Sequence, residues 1–313
     1  MRNPVVGVFW GLTFVALEAV QYVYFGGLFQ RMSSYLFGFL VFGVTVFLFV
    51  GWAAIKHPHQ LKIAFANPDH LIGANVTATL AWGAYLTSVQ LIEPAIAYTI
   101  GAGTMPITAY LAHRFGVPEG EPTRNRIEAF GNIVLVCGIL YLIFVTVSGS
   151  SGFVRGDRFT ATAGVAFAIA DGVLFTWMLI YCQRMDRVGV GAGAVFGLRF
   201  PLYVLATGGL VALGVDQKIE IPVPELSTIV LIGLALTIPP LFALQKAVAS
   251  ISTMTIGALT ALGPFIIFGL QIVEGRVEYS NATLVGLVIY FAGALLASLG
   301  AVRACVSRPA AIK

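Results

Sequence analysis

Charge is what this sequence has least of. Only 10% of its 313 residues are Asp, Glu, Lys or Arg, while 58% are apolar and the mean hydropathy is +0.90. A soluble domain covers itself with about 25% charged residues. That excludes a soluble globular domain and leaves lipid as the solvent. Histidine is also scarce. His57, His59, His70 and His113 all fall in or beside polar breaks, so no histidine stands at helix depth to serve a serine–histidine protease. Cys137, Cys182 and Cys305 are far apart, with no CxxC or metal-ligand spacing, and read as small apolar side chains. No P-loop, Gly-rich dinucleotide motif or metal cluster occurs, so no cofactor and no ATP-driven transport by this chain alone are expected. Only Asp171 among the aspartates lies within an apolar run and no GxGD is present, which leaves an aspartyl intramembrane protease unsupported. No lysine lies mid-run for a retinal. These absences point away from an enzyme. Large extramembrane segments, which a receptor or scaffold would want, are missing as well.

What is there is apolar sequence in blocks. About 20 apolar residues in a helix cross a bilayer. Ten segments qualify: 5–25, 33–54, 71–91, 95–113, 128–148, 161–183, 193–214, 226–246, 252–273 and 282–302. The N-terminal MRNPVVGVFW has one positive charge and no small-residue cleavage site, and reads as a retained first helix rather than a signal peptide. With ten spans, twelve Lys and Arg fall on the side of the N-terminus and five on the other, with Arg199 inside a span. Basic residues stay in the cytoplasm, so both termini are expected there, in a plasma (inner) membrane. The net charge of +4 then reflects topology and not a nucleic-acid partner.

The chain also repeats itself. "TIGA" occurs at Thr99–Ala102 and again at Thr255–Ala258, followed by Pro106 and Pro264. Gly7-x-x-x-Gly11 in the first span matches Ala168-x-x-x-Gly172 in the sixth, and Phe14 matches Phe175. Gln90 and Gln245 end the third and eighth. Gly131 and Gly138 in the fifth match Gly286 and Gly293 in the tenth, with the same spacing. The matches run in order, as in a duplicated five-helix unit: 1–150 holds the first copy and 151–313 the second. Five is odd, so the second copy must enter from the opposite side, giving two inverted repeats. Small residues allow close helix contact, and each proline frees a backbone carbonyl and permits a helix bend.

Ten helices in inverted fives resemble the drug/metabolite transporter superfamily in its EamA-like branch. The fourth helix of each half carries a mid-helix proline and the fifth a glycine pair. The Trp10-Gly11-x-x-Phe14 opening is similar to that branch's first helix. So is Pro264 followed by Glu274-Gly275-Arg276, Gly286 and Gly293. The family writes Gly-Glu where this chain has Glu274-Gly275. Its comparable Gly120-Glu121 sits in a polar loop, VPEGEPTRNR. The resemblance implies an all-α integral membrane protein that is a secondary transporter, often an exporter, of small metabolites such as amino acids, with a central cavity between the halves.

Ionisable groups inside spans cost at least about 2.5–3.5 kcal/mol each at the bilayer centre. Glu18 stands 13 residues into the first span and Asp171 stands 12 residues from the end of the sixth. Both are roughly 18–20 Å from the cytoplasmic side at the helical rise. A partly desolvated carboxyl there can take up and release a proton, as a proton-coupled carrier needs, or can merely cap a neighbouring hydroxyl or amide. Arg199 near the start of the seventh span is expected to snorkel to the interface. The sharper alternative is a partner for Asp171 or for a substrate carboxylate. Trp10, Phe14, Glu18 and Tyr22 recur every four residues, and similar stripes hold Asn75, Thr79, Trp82 and Tyr85; Thr99, Gly103, Pro106 and Tyr110; and Thr260, Pro264 and Gln271. Facing inward they would line an amphipathic pocket; otherwise they are packing or interfacial residues. The expected activity is proton-coupled export of a small cationic or zwitterionic metabolite. Uptake by symport uses the same parts, and a channel or scaffold is the remoter alternative. A homodimer is left open.

Overall fold

In hydrocarbon a chain must satisfy its own backbone hydrogen bonds, and a run of apolar residues does so as helix. The computed structural model describes residues 4–216, 218, 221–250, 256 and 259–306. Within them the chain forms α1 (Pro4–Arg31), α2 (Ser34–Lys56), α3 (Pro58–Ala66), α4 (Pro68–Leu91), α5 (Pro94–Arg114), α6 (Arg126–Val147), α7 (Arg158–Arg187), α8 (Ala192–Leu198), α9 (Pro201–Ala212), α10 (Val223–Ser250), α11 (Gly263–Glu274) and α12 (Asn281–Val306). The one β-type pairing among the described residues is an isolated bridge between Ile92 and Val154. Of the second TIGA, Thr255, Gly257 and Ala258 lie outside the described residues.

Seven stretches among the described residues are long and apolar enough to cross a membrane: α1, α2, α6, α7, α8 with α9, α10 and α12. This is the make-up of an all-helical, multi-pass membrane protein. α4 and α5 are 24 and 21 residues long but more polar, α4 through Asp69, His70 and Asn75 and α5 through its threonines and prolines. Large apolar side chains stand on the surface: Phe47, Phe144 and Leu205 are 78%, 68% and 73% exposed. In water such a surface would aggregate, whereas lipid solvates it.

The polar break after the second segment is not a plain loop. Pro58 starts α3 and Pro68 starts α4. Proline suits the first turn of a helix, where its missing N–H has no intrahelical partner anyway.

The chain divides into two compact units. The first comprises residues 1–27, 88–169 and 236–313; the second comprises 28–87 and 170–235. Each draws on both halves of the sequence.

The first unit is built on the α6–α12 pair. Along α6 the contacts run Glu128, Gly131, Leu135, Gly138 and Leu142; along α12 they run Gly300, Ala297, Gly293, Tyr290 and Gly286. The orders are opposed, so the helices are antiparallel. At each glycine a Cβ would strike atoms of the facing helix: Gly138 meets the Tyr290 backbone, its nitrogen at 2.7 Å, and Gly293 meets that of Leu135. The four glycines read as a matched spacing in the sequence therefore lie in one seam. Asn125 fixes its end, accepting from the N–H groups of Ile127 (3.0 Å) and Glu128 (2.9 Å) as an N-cap and donating to the Gly300 carbonyl.

In the second unit α2 packs on α8 and α9. Ala53, Ala64, Met185, Val190, Ala194, Val195 and Leu198 form its buried cluster around the end of α2 and α3.

Candidate functional site

In the first unit Glu18 projects from the middle of α1, and the Tyr98 hydroxyl of α5 donates to its Oε2 at 3.2 Å. This is the one hydrogen bond to Glu18 among the described residues. The same hydroxyl lies 3.3 Å from the Thr260 carbonyl oxygen. The sequence explains that acceptor. A helical carbonyl bonds the N–H four residues on, and the residue four on from Thr260 is Pro264, which has none. The chain breaks there: Ala261 and Leu262 form a turn, and Pro264 sits in the first turn of α11, not within a continuous ninth helix. Pro106, by contrast, does lie inside α5. Gly263 completes the arrangement, since a Cβ there would come 2.7 Å from the Tyr98 oxygen. Tyr22 packs edge-on against the Tyr98 ring with centroids 4.9 Å apart. One phenolic proton thus has two acceptors, a carboxylate and a backbone carbonyl.

A second carboxyl in this unit is held differently. Glu93, fully buried at the turn between α4 and α5, accepts from Gly152 N (2.9 Å), Thr283 Oγ1 (3.0 Å) and Gln271 Nε2. Gln271 in turn accepts from Ala95 N at 3.2 Å. Around this knot Arg155 N donates to Leu91 O (2.9 Å), Glu278 N to Gly152 O (3.0 Å) and Ser280 Oγ to Ser150 O (2.7 Å). Burial pushes the Glu93 carboxyl above the ordinary carboxylate range; the hydrogen bonds from Gly152, Gln271 and Thr283 pull it back in part. The sequence shows Glu93-Pro94 only as a turn. Its partners stand 59, 178 and 190 residues away, too far for any local pattern to reveal.

The second unit holds a broken helix. α8 ends at Leu198 and α9 begins at Pro201. The Asn75 amide of α4 enters the gap: Nδ2 donates to Leu198 O at 2.7 Å and Oδ1 accepts from Leu202 N at 3.1 Å. Those two backbone groups would bond each other in an unbroken helix, so a side-chain amide has been inserted into the ladder. Arg199 lies at the break. It is 8% exposed, with its guanidinium carbon 4.9 Å from the Phe196 ring centre and 4.8 Å from that of Phe200. Two aromatic faces and the fold around the break enclose it. Phe42, Trp82, Phe200 and Tyr203 cluster beside it, with Phe42 4.6 Å from both Trp82 and Phe200.

The remaining candidates distribute as follows. In the first unit Trp10 meets Phe242 edge-on at 5.7 Å and Phe14 is buried with Val15 and Ala243. Thr99 is fully buried with its hydroxyl turned back onto Ala95 O (2.6 Å), and Gln271 is engaged by Glu93 and Ala95. Tyr110 is 39% exposed. In the second unit Trp82 and Tyr85 are buried and pack edge-on at 5.4 Å, and Asp171 is buried.

No family model and no curated protein matches the chain. The fold is similar to that of a protein of known crystal structure. The two align with a TM-score of 0.62 at 17% identity, over 95% of this chain and 98% of that one.

Proposed function

We propose that the protein is a proton-coupled secondary transporter of the drug/metabolite type. It would have ten membrane helices in two inverted five-helix repeats and cytoplasmic termini in the plasma (inner) membrane, and would export a small cationic or zwitterionic metabolite by alternating access. The observation that carries this reading is the Glu18–Tyr98–Thr260 arrangement. A carboxyl in an apolar helix has to be worth its cost. Glu93, with three donors, is a structural knot. Among the described residues Glu18 has one neutral donor, and that donor has an alternative acceptor.

The chemistry follows from counting protons. With Glu18 ionised, Tyr98 donates to it. With Glu18 protonated, its own O–H donates to the Tyr98 oxygen, and the phenolic proton turns to the Thr260 carbonyl. Protonation of Glu18 thus reverses the bond between α1 and α5 and turns the phenolic proton to the segment entering α11, where Pro264 has already removed the helical bond. The antiparallel α6–α12 seam supports the inverted repeat, because the fifth helices of two inverted copies must run in opposite directions.

The test is flux in proteoliposomes under an imposed pH gradient, over a panel of amino acids, amines and amphipathic cations. Wild type should move at least one class in response to the gradient. Glu18→Gln should lose the dependence while keeping gradient-independent counterflow. A wild type that moves nothing on the panel, or a Glu18→Gln protein as gradient-dependent as wild type, counts against the reading.

A further inference from the structure

Arg199 is a buried cation with no anion beside it among the described residues. Among the described residues no carboxylate makes a salt bridge to it, and its Nε has no hydrogen-bond partner. Its one polar contact among them runs from Nη1 to Cys182 Sγ at 3.9 Å. Two aromatic faces attract a guanidinium, but they do not use its five N–H groups. A buried charge left so is expensive unless something completes it. Capping the break does not explain it, because Asn75 already satisfies Leu198 O and Leu202 N. A second donor stands close by: Trp82 packs on the same Phe200 ring, 6.1 Å between centroids, and its buried indole N–H has no partner among the described residues. Two unmet donors flank one ring beside a broken helix, and broken membrane helices are where carriers form substrate sites. A planar guanidinium fork matches a carboxylate in both shape and charge.

We propose that Arg199, at the α8–α9 break, is the recognition point for a carboxylate on the transported molecule, with Trp82 Nε1 as the second donor. This rests on the transporter reading above and narrows the cargo from cationic or zwitterionic to carboxylate-bearing.

The test is ligand-induced thermal stabilisation of the purified full chain. Propionate is compared with its neutral isostere propionamide and with inorganic phosphate, at matched ionic strength. Propionate should stabilise the wild type and propionamide should not. The apparent propionate affinity should fall about 30-fold, roughly 2 kcal/mol, in Arg199→Gln, and by less in Arg199→Lys, which keeps charge but loses the fork. Equal stabilisation of wild type by propionate and propionamide overturns the proposal, whether or not the variants fold. So does a preference for phosphate, or an Arg199→Gln protein that elutes like wild type and binds propionate equally well. The two readings fail separately. Flux that depends on Glu18 in a protein indifferent to propionate removes only the carboxylate subsite. Propionate binding without gradient-dependent flux removes only the proton coupling.

Discussion

The Thr260 carbonyl receives the Tyr98 hydroxyl at 3.3 Å, in the place where any residue but Pro264 would have offered a backbone N–H. In the proposed coupling the proline and the tyrosine act as one device: the first removes a helical bond and the second replaces it with one that Glu18 can withdraw. Pro264→Ala returns an N–H to compete with the phenol. The expected result is an equally or more stable protein whose gradient-driven flux drops about tenfold, the equivalent of one hydrogen bond. Gly263→Ala should lower flux similarly by crowding the phenol. Flux assays paired with thermal melts distinguish both from simple unfolding.

Glu93 gives the protein a pH-dependent stability. Its folded carboxyl titrates above the ordinary value of 4.5 because of burial, so the fold binds that proton more tightly than the unfolded chain does. This contribution is complete below about pH 4.5 and is lost as pH rises through the folded value. Melting temperature should therefore fall across that window in wild type, and the fall should flatten in Glu93→Gln. Glu93→Ala leaves the Gly152 N–H and the Gln271 amide without their acceptor. It should cost about 2–5 kcal/mol at any pH, read as a drop in melting temperature.

Asn75 holds the α8–α9 break by both of its amide groups. Asn75→Leu leaves a buried carbonyl and a buried N–H to find each other again or remain unpaired, at about 2–4 kcal/mol. Hydrogen exchange at the Leu202 amide should accelerate. If the gap instead closes into a regular turn, the amide will be as protected as its neighbours, and Asn75 will be shown to impose the break rather than follow it.

The α6–α12 seam predicts opposite outcomes for glycines that look alike in the sequence. Gly138→Leu or Gly293→Leu drives a side chain into the facing backbone and should abolish the folded protein. Gly269→Ala in α11 meets nothing within 4 Å and should stabilise by up to about 1 kcal/mol from helix propensity. Expression and melting temperature of the three variants check this.

Much of this was written legibly along the chain. The spacing of Gly131, Gly138, Gly286 and Gly293 announced a close contact, because small residues at fixed intervals have few other uses in an apolar helix. Glu18 stood out because a charge there has to be accounted for. What stayed hidden depended on distant partners. The Glu93 knot joins residues up to 190 apart in the chain. The break in the seventh segment carried one local signal, Pro201 directly after Arg199-Phe200, but the amide that fills it comes from α4. Gln271 was picked out as a polar residue on an apolar stripe. Nothing in the stripe distinguishes a side chain open to a ligand from one whose amide is already bonded at both ends.

The α6–α12 pair also constrains motion. Its glycines interlock at a single register along several turns, so the helices can neither slide nor roll without driving a backbone atom into a side chain. They behave as a keyed shaft. In the transport cycle proposed above, any working stroke in this unit would fall to the helices around that shaft, and labels placed on α6 and α12 would keep a constant separation.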